Sequence, residues 1–129
     1  MKKYKHDMSG QALVVLLVFM VVAIMVTTMA VSFVIINSTA ASQIEQGDMA
    51  LSAAESGAEN ALLRLVRDPT YVGTETLNIN GGSVTATVSA TNPIIIVSSG
   101  RQGQFTRTVD VQAVFNNTVL TILSWQEVF

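Results

Sequence analysis

A chain of 129 residues, half of them apolar, with no cysteine and a formal charge of −2, has room for one small domain plus a segment that does not belong in water. Neither a disulfide framework nor a thiolate metal site is available to it. A nucleic-acid-binding face is excluded too: removal of residues 1–10 takes away Lys2, Lys3 and Lys5 and leaves four arginines against eight acids, a net charge of −4.

Residues 1–10 form a short basic leader that ends in Ser9-Gly10, and the apolar run follows at once. Residues 12–36 carry no charge. Their only polar members are Thr27, Thr28 and Ser32, whose hydroxyls can bond back to carbonyls one helical turn earlier. At 1.5 Å per residue the run spans about 37 Å as a helix, enough to cross a bilayer core of about 30 Å with some tilt. No Lys or Arg lies between Lys5 and Arg64, so the positive-inside bias predicts a single pass with the N-terminus in the cytoplasm and the rest of the chain outside.

Three fates are open to this segment. It is an uncleaved signal anchor holding a non-polymerising, exported binding domain on the membrane. It is a secretory signal cut at Thr28-Met29-Ala30 or Ser38-Thr39-Ala40, although its apolar run exceeds the usual 7–15 residues or so. Or cleavage falls before the helix, after Gly10, and leaves the apolar segment on the mature chain.

The stretch Lys2-Lys3-Tyr4-Lys5 through Ser9-Gly10, followed by Gln11-Ala12-Leu13-Val14-Val15, resembles the leaders of type IV pilins and pseudopilins. In that family a membrane prepilin peptidase cuts after the glycine, and the helices then leave the bilayer and pack as a filament core. The resemblance implies that Gly10 ends the leader, that Gln11 becomes the new N-terminus, open to methylation, and that Ala12, Leu13, Val14 and Val15 begin an assembly helix. A side chain at the cut would obstruct approach to an extended backbone, which is a physical reason for glycine there.

Major pilins usually carry Phe, Glu and often Pro at the first, fifth and twenty-second mature positions, where this chain has Gln11, Val15 and Ser32. The family's glutamate is held to neutralise the N-terminal ammonium of a neighbouring subunit. Val15 cannot, and an unpaired ammonium in an apolar core is costly. In lacking this acid the chain is similar to minor tip pseudopilins, and its opening Gly10-Gln11-Ala12-Leu13-Val14-Val15-Leu16-Leu17-Val18 resembles the PilX-type minor pilins more than a major pilin.

Residues 37–68 continue the helix and carry the second part of the resemblance, Ala53-Ala54-Glu55-Ser56-Gly57-Ala58-Glu59. Independently of any family, Leu51, Ala54, Ala58, Ala61 and Leu65 recur at spacings of three and four, while Ser52, Glu55, Ser56, Glu59, Asn60 and Arg67 take the other face. The small-residue stripe predicts close packing on the chain's own sheet, with Gly57 serving the same end. Glu55 and Glu59 read as a solvated edge, and Arg64 and Asp68 as a favourable pair one turn apart. Asp68-Pro69 ends the helix.

Beyond it, residues 69–129 change to period two. Val84, Ala86, Val88 and Ala90 alternate with Thr85, Thr87, Ser89 and Thr91. Asn80-Gly81-Gly82 predicts a turn from a strand at 76–79, and 94–97 reads as a central strand. A turn at 100–103 is expected next, then a strand with Phe105, Val109, Val111, Ala113 and Phe115 on one face. Asn116-Asn117 is expected to turn into a last strand at 119–125. The fold class is therefore α+β: one long N-terminal helix, transmembrane in its first half, packed on an antiparallel sheet of about four or five strands. The resemblance implies the same pilin-like architecture.

Little chemistry is legible. The single histidine, His6, lies in the leader, so no histidine triad or metal site survives a cut after Gly10. Asp110 reads as a wet strand residue among Thr106, Thr108 and Gln112, and Trp125 and Phe129 as closing a core. Asn37-Ser38-Thr39 and Asn116-Asn117-Thr118 match glycosylation sequons. The expectation is a non-enzymatic structural subunit with no catalytic, cofactor-binding or metal-binding residue. Its expected partners are other pilin or pseudopilin subunits, the prepilin peptidase, the membrane platform of an assembly machine and the lipid bilayer, with no nucleic acid. Its expected location is the inner membrane and then a periplasmic or extracellular filament.

Overall fold

A computed structural model describes residues 9–79 and 81–129. The leader's Lys2, Lys3, Lys5 and His6 lie outside the described residues, as does Asn80 of the expected first turn. Five strands follow one helix: α1 (Ser9–Arg67), β1 (Gly73–Ile79), β2 (Gly82–Ser89), β3 (Ile94–Gln102), β4 (Phe105–Asn116) and β5 (Val119–Val128). The chain divides into two compact units, one ending at Ala41 and one spanning Ser42–Phe129, and α1 contributes to both.

In the second unit the strands form one antiparallel sheet in sequence order, with β3 at its centre. Alternation places Val84, Ala86 and Val88 of β2, Ile96 and Ser98 of β3, and Val109, Val111 and Ala113 of β4 in the buried layer. Ala50, Ala54, Ala58, Ala61 and Leu65 of α1 bury against them, and Leu51 packs half-buried at the edge of the same cluster. This is the helix-on-sheet α+β arrangement expected from the period change.

Every fully buried residue of the sheet comes from β2, β3 or β4. Geometry explains why: a helix about 10 Å across covers two or three strands spaced about 4.8 Å apart. The flanking strands are only partly covered on the helix side. Trp125, paired with Val111, and Ile122, paired with Ala113, share that side yet are 39% and 49% exposed. Phe129 is 97% exposed. Trp125 and Phe129 therefore do not close a core; the Phe129 ring instead lies 5.4 Å from the Arg107 guanidinium.

Other expectations shift locally. The turn expected at 100–103 begins later, because β3 runs through Gly100 to Gln102. Gly100 is a close-packing residue, for a Cβ there would overlap the helix backbone at Ala50 and Ala54. The last hairpin turns on Asn117 and Thr118, with φ of 48° and 68°, one residue later than expected, and Asn116 pairs with Val119. Two successive positive φ values suit the twist of a two-residue hairpin. β1 starts at Gly73 and β5 reaches Val128, both longer than the alternation alone predicts. A bulge between Gln112 and Ala113 leaves Leu123 without a partner on β4.

Arg64 does not pair with Asp68. Its Nη2 lies 2.5 Å from Glu75 Oε1 on β1, with the guanidinium 5.6 Å from the Tyr71 ring. Asp68 instead accepts from the backbone N–H of Thr70 at 3.0 Å and from its hydroxyl at 2.6 Å, an Asx-type turn that takes the chain off the helix before Tyr71. Asp110 keeps its place on the outer face, but its Oδ1 is buried without a hydrogen-bond partner, so it is less wet than the pattern implied.

Candidate functional site

The feature of the first unit is a helix with no partner of its own. From Gly10 through Ile36 every residue is exposed, including Leu13 at 67%, Phe19 at 73% and Ile36 at 66%. A helix apolar on all sides is not stable in water unless something covers it. Among the described residues this is the one helix long and apolar enough to cross a membrane.

Its three hydroxyl groups are satisfied internally. Thr27 Oγ1 donates to the carbonyls of Ala23 and Ile24 at 2.9 and 3.0 Å, Thr28 to Ile24 at 2.7 Å, and Ser32 to Thr28 at 2.9 Å. Each hydroxyl bonds back within the helix, so none needs water or a neighbouring chain. These three side chains can therefore lie in lipid or against other apolar helices without an orphaned donor.

Gly10 and Gln11 occupy the first turn of α1 together with Ala12, and Leu13, Val14 and Val15 continue it. No acidic residue lies in that turn. Gly10 stands apart from the chain's other glycines. Among the described residues a Cβ at Gly10 would meet nothing within 4 Å and its φ is not positive, whereas the other glycines have a neighbour within that distance, a positive φ, or both. Glycine in a helix costs about 1 kcal/mol relative to alanine. The fold gives no reason for that cost at position 10.

In the second unit the predicted packing residues come together. Ala54, Ala58, Ala61 and Leu65 form one buried cluster with Ala86, Val88, Ile96, Val109 and Val111, and Leu51 packs against it. Gly57 lies between them over Ser98 and Val84. The opposite face of α1, with Ser52, Glu55, Ser56 and Glu59, is exposed. Arg107, on the helix side of β4, binds Glu127 Oε1 at 3.0 Å, and a Cβ added at Gly47 of α1 would lie 3.7 Å from its Nη2.

The sequence pattern did not reveal the apolar exposure of β5, where Ile122 and Trp125 on the helix side, Val119 and Val128 on the outer side and Leu123 at the bulge are exposed. The signal was present, since the last strand has apolar residues at both parities, but a wet edge strand and a covered one share that pattern. Among the described residues no group of three or more His, Cys, Asp or Glu is placed to hold a metal ion. No protein-family model, curated protein or solved structure matches this chain.

Proposed function

We propose that this chain is a structural subunit of a surface or secretion filament, a minor pilin or pseudopilin of a type IV pilus or a type II secretion-like machine. In this reading a prepilin peptidase cuts between Gly10 and Gln11 on the cytoplasmic side. The helix then leaves the bilayer, exchanges lipid for the apolar helices of neighbouring subunits, and carries the sheet unit to the periplasmic or extracellular surface of the filament.

One observation carries the reading: the uncharged helix from residue 12 to residue 36 has every side chain exposed, while the same helix from Ala50 to Leu65 buries one face against the chain's own sheet. The packed part supplies a folded head that needs no lipid. The unpacked part supplies a surface that needs lipid or other helices and makes the same contacts with either, since lipid tails and leucine side chains are equally apolar. Gly10, with no structural role in α1, supports a processing role at the junction.

Gly10→Leu tests it. The substitution introduces no clash in α1, so the head should fold as before. Uncut chain should accumulate in the membrane and disappear from the sheared surface-filament fraction. Recovery of Gly10→Leu in that fraction at the wild-type level would reject the reading and favour a membrane-anchored, non-polymerising domain.

A further inference from the structure

We propose that the N-terminus produced by the cut does not persist as an ammonium: Gln11 closes on itself to pyroglutamate. The proposal rests on cleavage after Gly10 and concerns the fate of the amine so exposed.

The reason is electrostatic. An ammonium on Gln11 would head a helix with no acidic side chain anywhere in residues 11–44; the first is Glu45. No carboxylate therefore stands among the first 34 residues of the cut chain to pair locally with its N-terminus. The charge would also sit at the positive end of the helix dipole, beside the unpaired N–H groups of the first turn. Once apolar surfaces replace water around residues 12–19, a lone cation there loses its hydration with nothing in return. Both effects favour the neutral amine, and the neutral amine is the nucleophile that cyclisation needs.

Gln11 supplies the electrophile. Its side chain is exposed, and Ala12, the residue that follows it in the cut chain, carries only a methyl group. The α-nitrogen attacks Cδ, the new N–Cδ bond closes a five-membered lactam, and the Cδ–Nε2 bond breaks. Nε2 leaves as ammonia, taking the proton that the α-nitrogen gives up. No electron transfer is involved, and reaction within one residue makes the closure efficient. The product is neutral, with one N–H and one carbonyl where the chain had a cation.

The test is the mass of the N-terminal peptide from full-length protein purified from membranes and from sheared filaments, sampled over time from harvest. The expected result is a peptide starting at residue 11 and lighter by one ammonia in the earliest sample. Pyroglutamyl aminopeptidase should then release the blocked residue, and Gln11→Ala should be cut normally without showing the deficit. A peptide starting at Gln11 with a free or methylated amine overturns the cyclisation and leaves the cleavage standing. So does a deficit that extrapolates to zero at harvest. A chain that still begins at Met1 overturns both.

Discussion

Gly57 of α1 lies so close above Ser98 of β3 that a Cβ at Gly57 would overlap the Ser98 hydroxyl and come within 2.5 Å of Val84 Cγ2. This contact, with that of Gly100 against the helix backbone, limits how closely helix and sheet can approach. Ser98 is fully buried, and its Oγ has no hydrogen-bond partner. A glycine and a small hydroxyl residue thus face each other at one of the two close approaches of helix and sheet, the other being Gly100 against the backbone of Ala50 and Ala54.

Gly57→Ala should therefore destabilise the sheet unit by about 1–3 kcal/mol through overpacking, although alanine is the better helix former by about 1 kcal/mol. Ser98→Ala removes an unsatisfied buried hydroxyl and should be neutral or stabilising. Combined, the two should cost less than Gly57→Ala alone, because the hydroxyl is one of the two atoms in the way. Denaturant unfolding of detergent-solubilised full chain reads all three; additive costs would contradict this packing.

Leu65 and Leu63 separate the two faces of the same helix turn. Leu65 is fully buried in the core cluster, whereas Leu63 is 61% exposed. Leu65→Ala should cost about 2–5 kcal/mol and Leu63→Ala no more than about 0.5 kcal/mol. Comparable unfolding midpoints for the two variants would contradict the assigned face.

The Arg64–Glu75 ion pair ties the end of α1 to the edge strand β1, but both partners are partly exposed. Glu75→Gln should cost less than about 1 kcal/mol, and the difference from wild type should shrink as salt is raised. A cost that is large and independent of salt would show the pair to be more buried than its exposure indicates.

Asp68 carries the one pH dependence that the geometry supports. The hydroxyl of Thr70, and secondarily its backbone N–H, hold the Asp68 carboxyl below the usual carboxylate range. A carboxylate with a depressed folded-state pKa contributes stability that is present above its unfolded pKa and lost as pH falls through the folded value. Thr70→Val should move the Asp68 titration back toward the ordinary range, measured by NMR of the side-chain carboxyl. An unchanged titration would remove the hydroxyl as the main cause.

The residues themselves made much of this fold legible. The uncharged run at 12–36, the stripe from Leu51 to Leu65, and the Val84/Ala86/Val88 alternation each follow from one element meeting one environment, so local period was enough. The misreadings arose where two elements meet. Gly100 looked like a turn because the same residue type serves a tight turn and a strand passing under a helix. Arg64 found Glu75 across the chain, a partner no helical spacing reveals. Trp125 stayed exposed because one helix spans only the middle strands, a limit of area rather than of pattern. At the junction, Gly10 and Gln11 were visible as residues, and the structure adds that nothing in α1 requires the glycine.

The most direct test of the account is the first residue of the chain recovered from sheared surface filaments, determined by mass spectrometry of the N-terminal peptide. Cleavage between Gly10 and Gln11 predicts a chain beginning at residue 11 that retains the whole of residues 12–36. A chain that begins at Met1, or at Val31 or Ala41 with the apolar helix wholly or largely removed, would contradict it.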